Sequence, residues 1–222
     1  MRMYRKKSLF AAPLILLLTM FMIDVTQAQE CGPSCPVCSG NSGGALLAPN
    51  SVSASGLAIP DAEEETAVFN VRYGLFEWID AGVGYAVDTE KLLWSVRTQP
   101  IKEDESNWQP GIIIGTGSVQ IGGSDQSVYL QASKSWEFSQ NFALQMSGGV
   151  ATLVPDFEEI FGLAGVTTSF FEKYSIFANY DGRNFHEGLS WIPLDWLTVS
   201  LLLIESSSPA ASLTVNIALE KE

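Results

Sequence analysis

The segment Ile79-Asp-Ala-Gly-Val-Gly-Tyr-Ala-Val87 puts aliphatic or aromatic residues on its odd positions and small or polar ones between them. Leu213-Thr-Val-Asn-Ile-Ala-Leu219 repeats the pattern, and Tyr174-Ser-Ile-Phe-Ala-Asn-Tyr180 follows it less cleanly. A period of two is the mark of a β-strand with one apolar face and one small or polar face. No stretch of comparable length carries a 3.6-residue stripe. The chain therefore reads as all-β.

Extended along the sequence, this reading predicts strands at roughly 50–59, 66–74, 78–88, 91–101, 110–120, 126–137, 141–153, 160–171, 173–181, 184–192, 196–205 and 210–220. Most run ~9–11 residues, which exceeds the usual globular strand and suits a tilted strand crossing a bilayer. Short connections imply up-and-down antiparallel neighbours, hence a β-barrel of about 12 strands (about 10–12).

The connections alternate between two kinds. One kind is compact and flanked by aromatics: Phe76-Glu-Trp78, Trp136 to Phe142, Phe171-Glu-Lys-Tyr174 and Pro193-Leu-Asp-Trp196. The turn at 102–109 joins this set by position, through Trp108. The other kind is acidic or rich in Gly and Ser: Pro60 to Glu65, Gly122-Gly-Ser-Asp125, Pro155 to Glu159, Asp181-Gly-Arg-Asn184 and Glu205 to Pro209. With an even strand count, every aromatic turn shares a rim with both chain ends. An aromatic belt at a membrane interface produces such segregation.

Arg2, Arg5, Lys6 and Lys7 precede an apolar stretch from Leu9 to Ile23, and Thr26-Gln27-Ala28 offers small residues for cleavage. This is the layout of a secretory signal, residues 1–28. A leader at 29–49 and a barrel domain at 50–222 follow. Without the signal, 8 Lys/Arg face 24 Asp/Glu, a net charge of −16. Nucleic acid is excluded as a partner, because phosphate binding needs clustered cations. No later segment approaches the ~18 apolar residues of a membrane helix.

Tyr73-Gly-Leu-Phe-Glu-Trp-Ile-Asp-Ala-Gly-Val-Gly-Tyr85 looks like a strand–turn–strand of a bacterial outer-membrane β-barrel. With the signal peptide and the strand count, residues 50–222 as a whole resemble that class. Asp181-Gly-Arg183 and Trp191-Ile-Pro-Leu-Asp-Trp-Leu197 are faintly similar to barrels associated with exopolysaccharide export. Such barrels usually end on an aromatic residue, whereas this chain ends Leu219-Glu-Lys-Glu222. The resemblance implies outer-membrane localisation, lipid around the barrel, and either a narrow channel for small solutes or an accessory role in envelope or polysaccharide export. The alternative is a soluble periplasmic or secreted barrel with an apolar ligand inside, in which the same alternation points the other way.

In a membrane barrel the inward positions carry function. Parity assigns Asn70, Arg72, Asp80, Arg97, Gln131, Gln145, Asn179, Asp181 and Asn216 to the lumen. Arg72, Arg97, Asp80 and Asp181 read either as a charged constriction that sorts solutes or as salt bridges filling the lumen. Thirteen acidic residues fall at the expected outer rim (61, 63, 64, 65, 88, 90, 125, 156, 158, 159, 181, 187 and 205). Negative charge at a mouth concentrates cations, so a conducting pore is expected to prefer them.

Enzymatic readings are weak. His186 is the sole histidine, and its strand spacing to Ser190 is ~13 Å, beyond hydrogen-bond reach for a lipid hydrolase. It reads as a rim or loop residue. Gly111-Ile-Ile-Ile-Gly115-Thr-Gly117 lacks the lysine and helix of a phosphate loop. Cys31, Cys35 and Cys38 have a radical-SAM-like spacing, but an exported chain lacks the reducing compartment that cluster needs. No cofactor and no metal are assigned. Two of the three thiols can form a disulfide, and the Gly/Ser-rich leader reads as a tether for a periplasmic partner.

Overall fold

The computed structural model describes residues 46–60, 65–104 and 106–219. The signal segment, the leader cysteines Cys31, Cys35 and Cys38, and the acidic residues Asp61, Glu63 and Glu64 lie outside the described residues.

Twelve strands close into one antiparallel barrel: β1 (Ser51–Ala58), β2 (Ala67–Phe76), β3 (Ile79–Ala86), β4 (Lys91–Ile101), β5 (Gly111–Gly117), β6 (Ser127–Ser139), β7 (Phe142–Leu153), β8 (Ile160–Phe170), β9 (Tyr174–Tyr180), β10 (Phe185–Leu194), β11 (Leu197–Ile204) and β12 (Ser208–Ala218). Every strand pairs with its sequence neighbours, and β1 pairs with β12 from Ser51↔Ala218 to Ala58↔Ala211 to close the ring. Closure removes the two free edges that an open sheet of this size would expose.

The sense of the alternation distinguishes the two expected barrels. Phe69, Val71, Tyr73 and Leu75 on β2 are exposed, as are Val83, Tyr85, Leu92, Trp94, Ile114, Leu130, Met146, Ile176, Leu189, Leu201 and Leu213. Ser127, Gln131, Ser175, Asn179, Ser190, Ser200, Ser212 and Thr214, on the opposite parity, are buried. The barrel is apolar outside and largely polar inside. A soluble barrel with an apolar ligand chamber requires the reverse.

One rim carries the start of β1, the end of β12 and the compact turns; we call it the terminal rim, and its opposite the far rim. At the terminal rim, Phe76 stacks on Trp78 at 5.9 Å, and Phe138, Phe142 and Phe170 form a run with centroids 5.6 and 5.5 Å apart. Trp108 meets Trp136 edge-on at 6.1 Å, which ties the 102–110 connection to the aromatic set.

Strand ends agree with the sequence reading to within two residues except at β5, which stops at Gly117 instead of 120. Gly117, with φ +139°, turns the chain off the wall, and residues 118–124 fold into the barrel. Val119 joins a buried cluster with Ile113, Tyr129, Ala151 and Leu163, while Ile121 packs against Ile59, Phe177, Leu202, Ile204 and Ala210. The alternation Ser-Val-Gln-Ile resembles a strand because both apolar side chains do face a wall, only from inside the lumen. The stretch read as the acidic outer loop Gly122–Asp125 is therefore mostly a plug, with Gly123 and Ser124 buried. Its departure leaves β4 and β5 paired only at Arg97↔Gly115, Thr98↔Ile114 and Ile101↔Ile112. Side chains cover part of the gap: Thr116 Oγ1 accepts the Val96 N–H at 3.2 Å, and Gln126 Nε2 donates to the Trp94 carbonyl at 2.7 Å.

Candidate functional site: the lumen and the two segments held in it

Asp80 is the second residue of β3, close to the terminal rim, and its side chain is fully buried. Arg97 faces it across the β3–β4 ladder, donating from Nε at 3.1 Å and from a terminal nitrogen at 2.8 Å. Arg72 reaches the same carboxylate from β2. Its stem crosses Gly82, where a Cβ would lie 2.5 Å from Arg72 Cγ, so only glycine leaves the passage open. The Tyr129 ring covers Gly115 in the same way, next to Arg97. A fourth donor comes from outside the barrel wall: Leu47 N–H bonds Asp80 Oδ2 at 3.0 Å, while the Leu47 and Ala48 carbonyls lie over Gly74. The carboxylate thus gathers two guanidinium groups and fastens the chain that leads into β1.

Asp181 does not join this group. It sits in the β9–β10 turn at the far rim, as its place among the outer-rim carboxylates implied, so the four charged residues read as lumen candidates do not form one constriction. Parity gave the face but not the height. The carboxylate accepts the backbone N–H groups of Arg183 at 3.0 Å, Asn184 at 2.9 Å and Ile121 at 3.3 Å. His186 Nε2 lies 2.9 Å from its Oδ2. Burial pushes the Asp181 carboxyl up, but the His186 ring and the Asn184 and Arg183 amides outweigh it and hold it below the usual carboxylate value.

His186, expected in a loop or at a rim, is the second residue of β10 and stands at the far rim; its side chain points inward and is 1 % exposed. Its Nδ1 accepts the Glu205 N–H at 3.3 Å, which places the ring proton on Nε2, facing Asp181. Ser190 shares its strand face but bonds Ser200 Oγ at 2.7 Å. Among the described residues no group of three or more His, Cys, Asp or Glu side chains is placed to hold a metal ion.

The remaining lumen candidates lie between these two ends. Gln131 and Asn179 are buried, Gln145 stands between Ser135 and Thr167, and Asn216 faces Ser53. Asn70 Oδ1, Gln131 Oε1 and Asn179 Nδ2 have no hydrogen-bond partner, nor do Ser95 Oγ, Gln120 Nε2, Ser175 Oγ and Thr214 Oγ1. Such desolvated atoms call for water or a polar solute. Sequence reasoning missed Ser95, Tyr129 and Gln120; parity would have supplied the first two, but Gln120 belongs to the loop mistaken for a strand.

No protein-family model matches this chain, and no curated protein matches it either. Solved structures do. The KdgM porin is similar with a TM-score of 0.52 at 9% identity, covering 77% of this chain and 99% of that one. A KdgM porin in complex with disordered oligogalacturonate gives a TM-score of 0.52 at 10% identity over the same shares. An outer membrane channel from Pseudomonas putida F1 gives a TM-score of 0.45 at 12% identity, covering 79% and 97%. The chain has the KdgM barrel fold.

Not every acidic rim residue lines a mouth. The fully buried Glu65 accepts the backbone N–H groups of Asp88 at 2.8 Å and Thr89 at 3.2 Å. Asp88 accepts the side chain and backbone of Thr66, which hold its carboxyl below the usual value. Glu205 accepts Asn184 Nδ2 at 2.7 Å, and Asp125 pairs with Lys91 at 3.2 Å. With Asp181, these carboxylates brace turns.

Proposed function

We propose that this chain spans the bacterial outer membrane as a narrow channel for small solutes, with residues 118–124 as its constriction. The observation that carries the reading is the combination of an exposed apolar outer wall with a polar lumen partly filled by its own chain. In lipid every strand must satisfy its backbone within a closed barrel, and the outward residues must be apolar; a water-soluble role explains neither. The terminal rim then faces the periplasm, where export by the 1–28 signal would leave the 29–49 leader as a tether ending at the Leu47–Asp80 bond. An accessory role in polysaccharide export is the variant of this reading in which the constriction stays shut.

Refolded protein is expected to be extracted only by detergent, to shift its gel mobility on boiling, and to give discrete conductance steps in a planar bilayer. A protein that stays in the aqueous phase would overturn the membrane assignment. A folded barrel without conductance would leave the membrane assignment and remove the channel. The acidic far rim favours cations at that mouth, while Arg72 and Arg97 stand near the other. We expect the more numerous carboxylates to prevail, so reversal potentials in a salt gradient should show cation preference.

A further inference from the structure

The plug leaves the wall incomplete, and the gap has a definite register. The β4–β5 ladder ends at Arg97↔Gly115, so Lys91 to Val96 pair with β3 on one side and, among the described residues, with no strand on the other. Side chains stand in for the missing strand: Thr116 Oγ1 accepts the Val96 N–H, and Gln126 Nε2 donates to the Trp94 carbonyl. Both bonds point to the β5 side, so Val96 and Trp94 hold positions that exchange backbone hydrogen bonds with a neighbour. Continuing the β4–β5 register sets Val96 opposite Thr116, Trp94 opposite Ser118, Leu93 opposite Val119 and Leu92 opposite Gln120. Continuing β5–β6 beyond Gly117↔Ser127 sets Ser118 opposite Gln126 and Gln120 opposite Ser124. This leaves Ile121-Gly122-Gly123 as a three-residue turn, whose last position calls for a left-handed residue and holds a glycine. Gly117 permits both paths: its φ of +139° turns the chain inward, and glycine takes extended values as readily.

We propose that residues 118–126 have a second seat, as a β-hairpin that completes the wall between β4 and β6, and that moving into it empties the lumen. In the present seat two apolar clusters hold Val119 and Ile121, and Asp181 holds the Ile121 N–H. In the second, these contacts give way to about six backbone hydrogen bonds along Leu92, Trp94 and Val96, two for each pair. A strand edge in lipid is costly, which drives the wall to complete itself. The hairpin rests on the channel reading and deepens it, since it names how the constriction opens.

The test uses the full mature chain with Cys31, Cys35 and Cys38 replaced by serine, refolded in detergent and carrying Leu93→Cys with Val119→Cys. In the hairpin these two form a non-hydrogen-bonded pair with Cα atoms about 4.5 Å apart, within reach of a disulfide. In the present seat Val119 packs with Ile113, Tyr129, Ala151 and Leu163, a cluster that excludes Leu93. Oxidation is expected to close the cross-link, read by peptide mass spectrometry, and to raise conductance until dithiothreitol reverses it. Adding Asp181→Asn should speed closure by about tenfold. A folded, heat-shifting barrel in which the pair never closes overturns the hairpin, and so does a closed pair that leaves a conducting barrel unchanged. Should the cysteine pair not fold, hydrogen exchange in Asp181→Asn alone decides. Slower exchange of the Leu92 and Trp94 amides than in wild type supports the second seat, and equal or faster exchange overturns it. A cross-linked barrel that never conducts sinks the channel and keeps the hairpin, while a conducting barrel without the cross-link sinks the hairpin alone.

Discussion

Asp80 and Asp181 solve the same problem at opposite ends of the barrel, with different donors. Each is a buried carboxylate that fastens a segment lying outside the strand wall: Leu47 at the terminal rim, and Ile121 of the plug at the far rim. Asp80 is compensated by two permanent charges, Arg72 and Arg97, whose guanidinium groups stay protonated at any accessible pH. Asp181 is compensated by three backbone amides and one histidine. The first arrangement works as a fixed rivet. The second has no permanent counter-charge among these partners. A channel needs both kinds: a wall that does not open and a constriction that can.

The largest effect should come from Asp80→Asn. Removing the charge takes away the carboxylate that two largely buried guanidinium groups share, a loss of about 3–5 kcal/mol in comparable buried pairs. A lower urea midpoint for unfolding from liposomes, or failure to refold, is expected. Asp181→Asn should cost less, about 1–3 kcal/mol, because the side chain retains one acceptor oxygen for neutral donors. Its main effect should be functional: higher conductance as the plug loosens. If the two substitutions destabilise equally and neither changes conductance, the distinction between rivet and latch is wrong.

Acidification separates them further. The Asp181 carboxyl titrates below its unfolded value, so its contribution is present above the ordinary carboxylate value of about 3.9 and is lost as pH falls through the lower folded value. Conductance is therefore expected to rise as pH drops below about 4. The rise should be missing in Asp181→Asn, whose plug is already loose. A rise of the same size in that variant would move the titration elsewhere.

Much of the barrel was legible because strand parity is a local property. Ile79 to Val87 shows its two faces without reference to any other segment, and eleven of twelve strands follow to within two residues. Height along the barrel is not local. It depends on the register of each ladder, so Arg72, Asp80 and Arg97 could be assigned to the lumen but not to one another. The plug was hidden for a related reason. Val119 and Ile121 alternate as a strand does, and the cue for departure is the single glycine at 117. The acidic rim was read as free charge, yet Glu65 and Asp181 are buried acceptors, because short turns need caps for their backbone amides as much as a mouth needs a field.

The smallest expected effect is also the sharpest test of what holds the plug. Lys91 pairs with Asp125 at the base of the same loop, with both side chains about half exposed (50% and 46%). Exposed pairs of this kind contribute about 0–1 kcal/mol and are screened by salt. Lys91→Ala should therefore leave the unfolding midpoint nearly unchanged, and it should leave conductance at neutral pH at the wild-type level. The Ile121–Asp181 bond lies four residues from Asp125, deeper in the lumen, and should keep the plug seated without the surface pair. If Lys91→Ala opens the channel as far as Asp181→Asn does, the plug is held from its base, and Asp181 braces only its own turn.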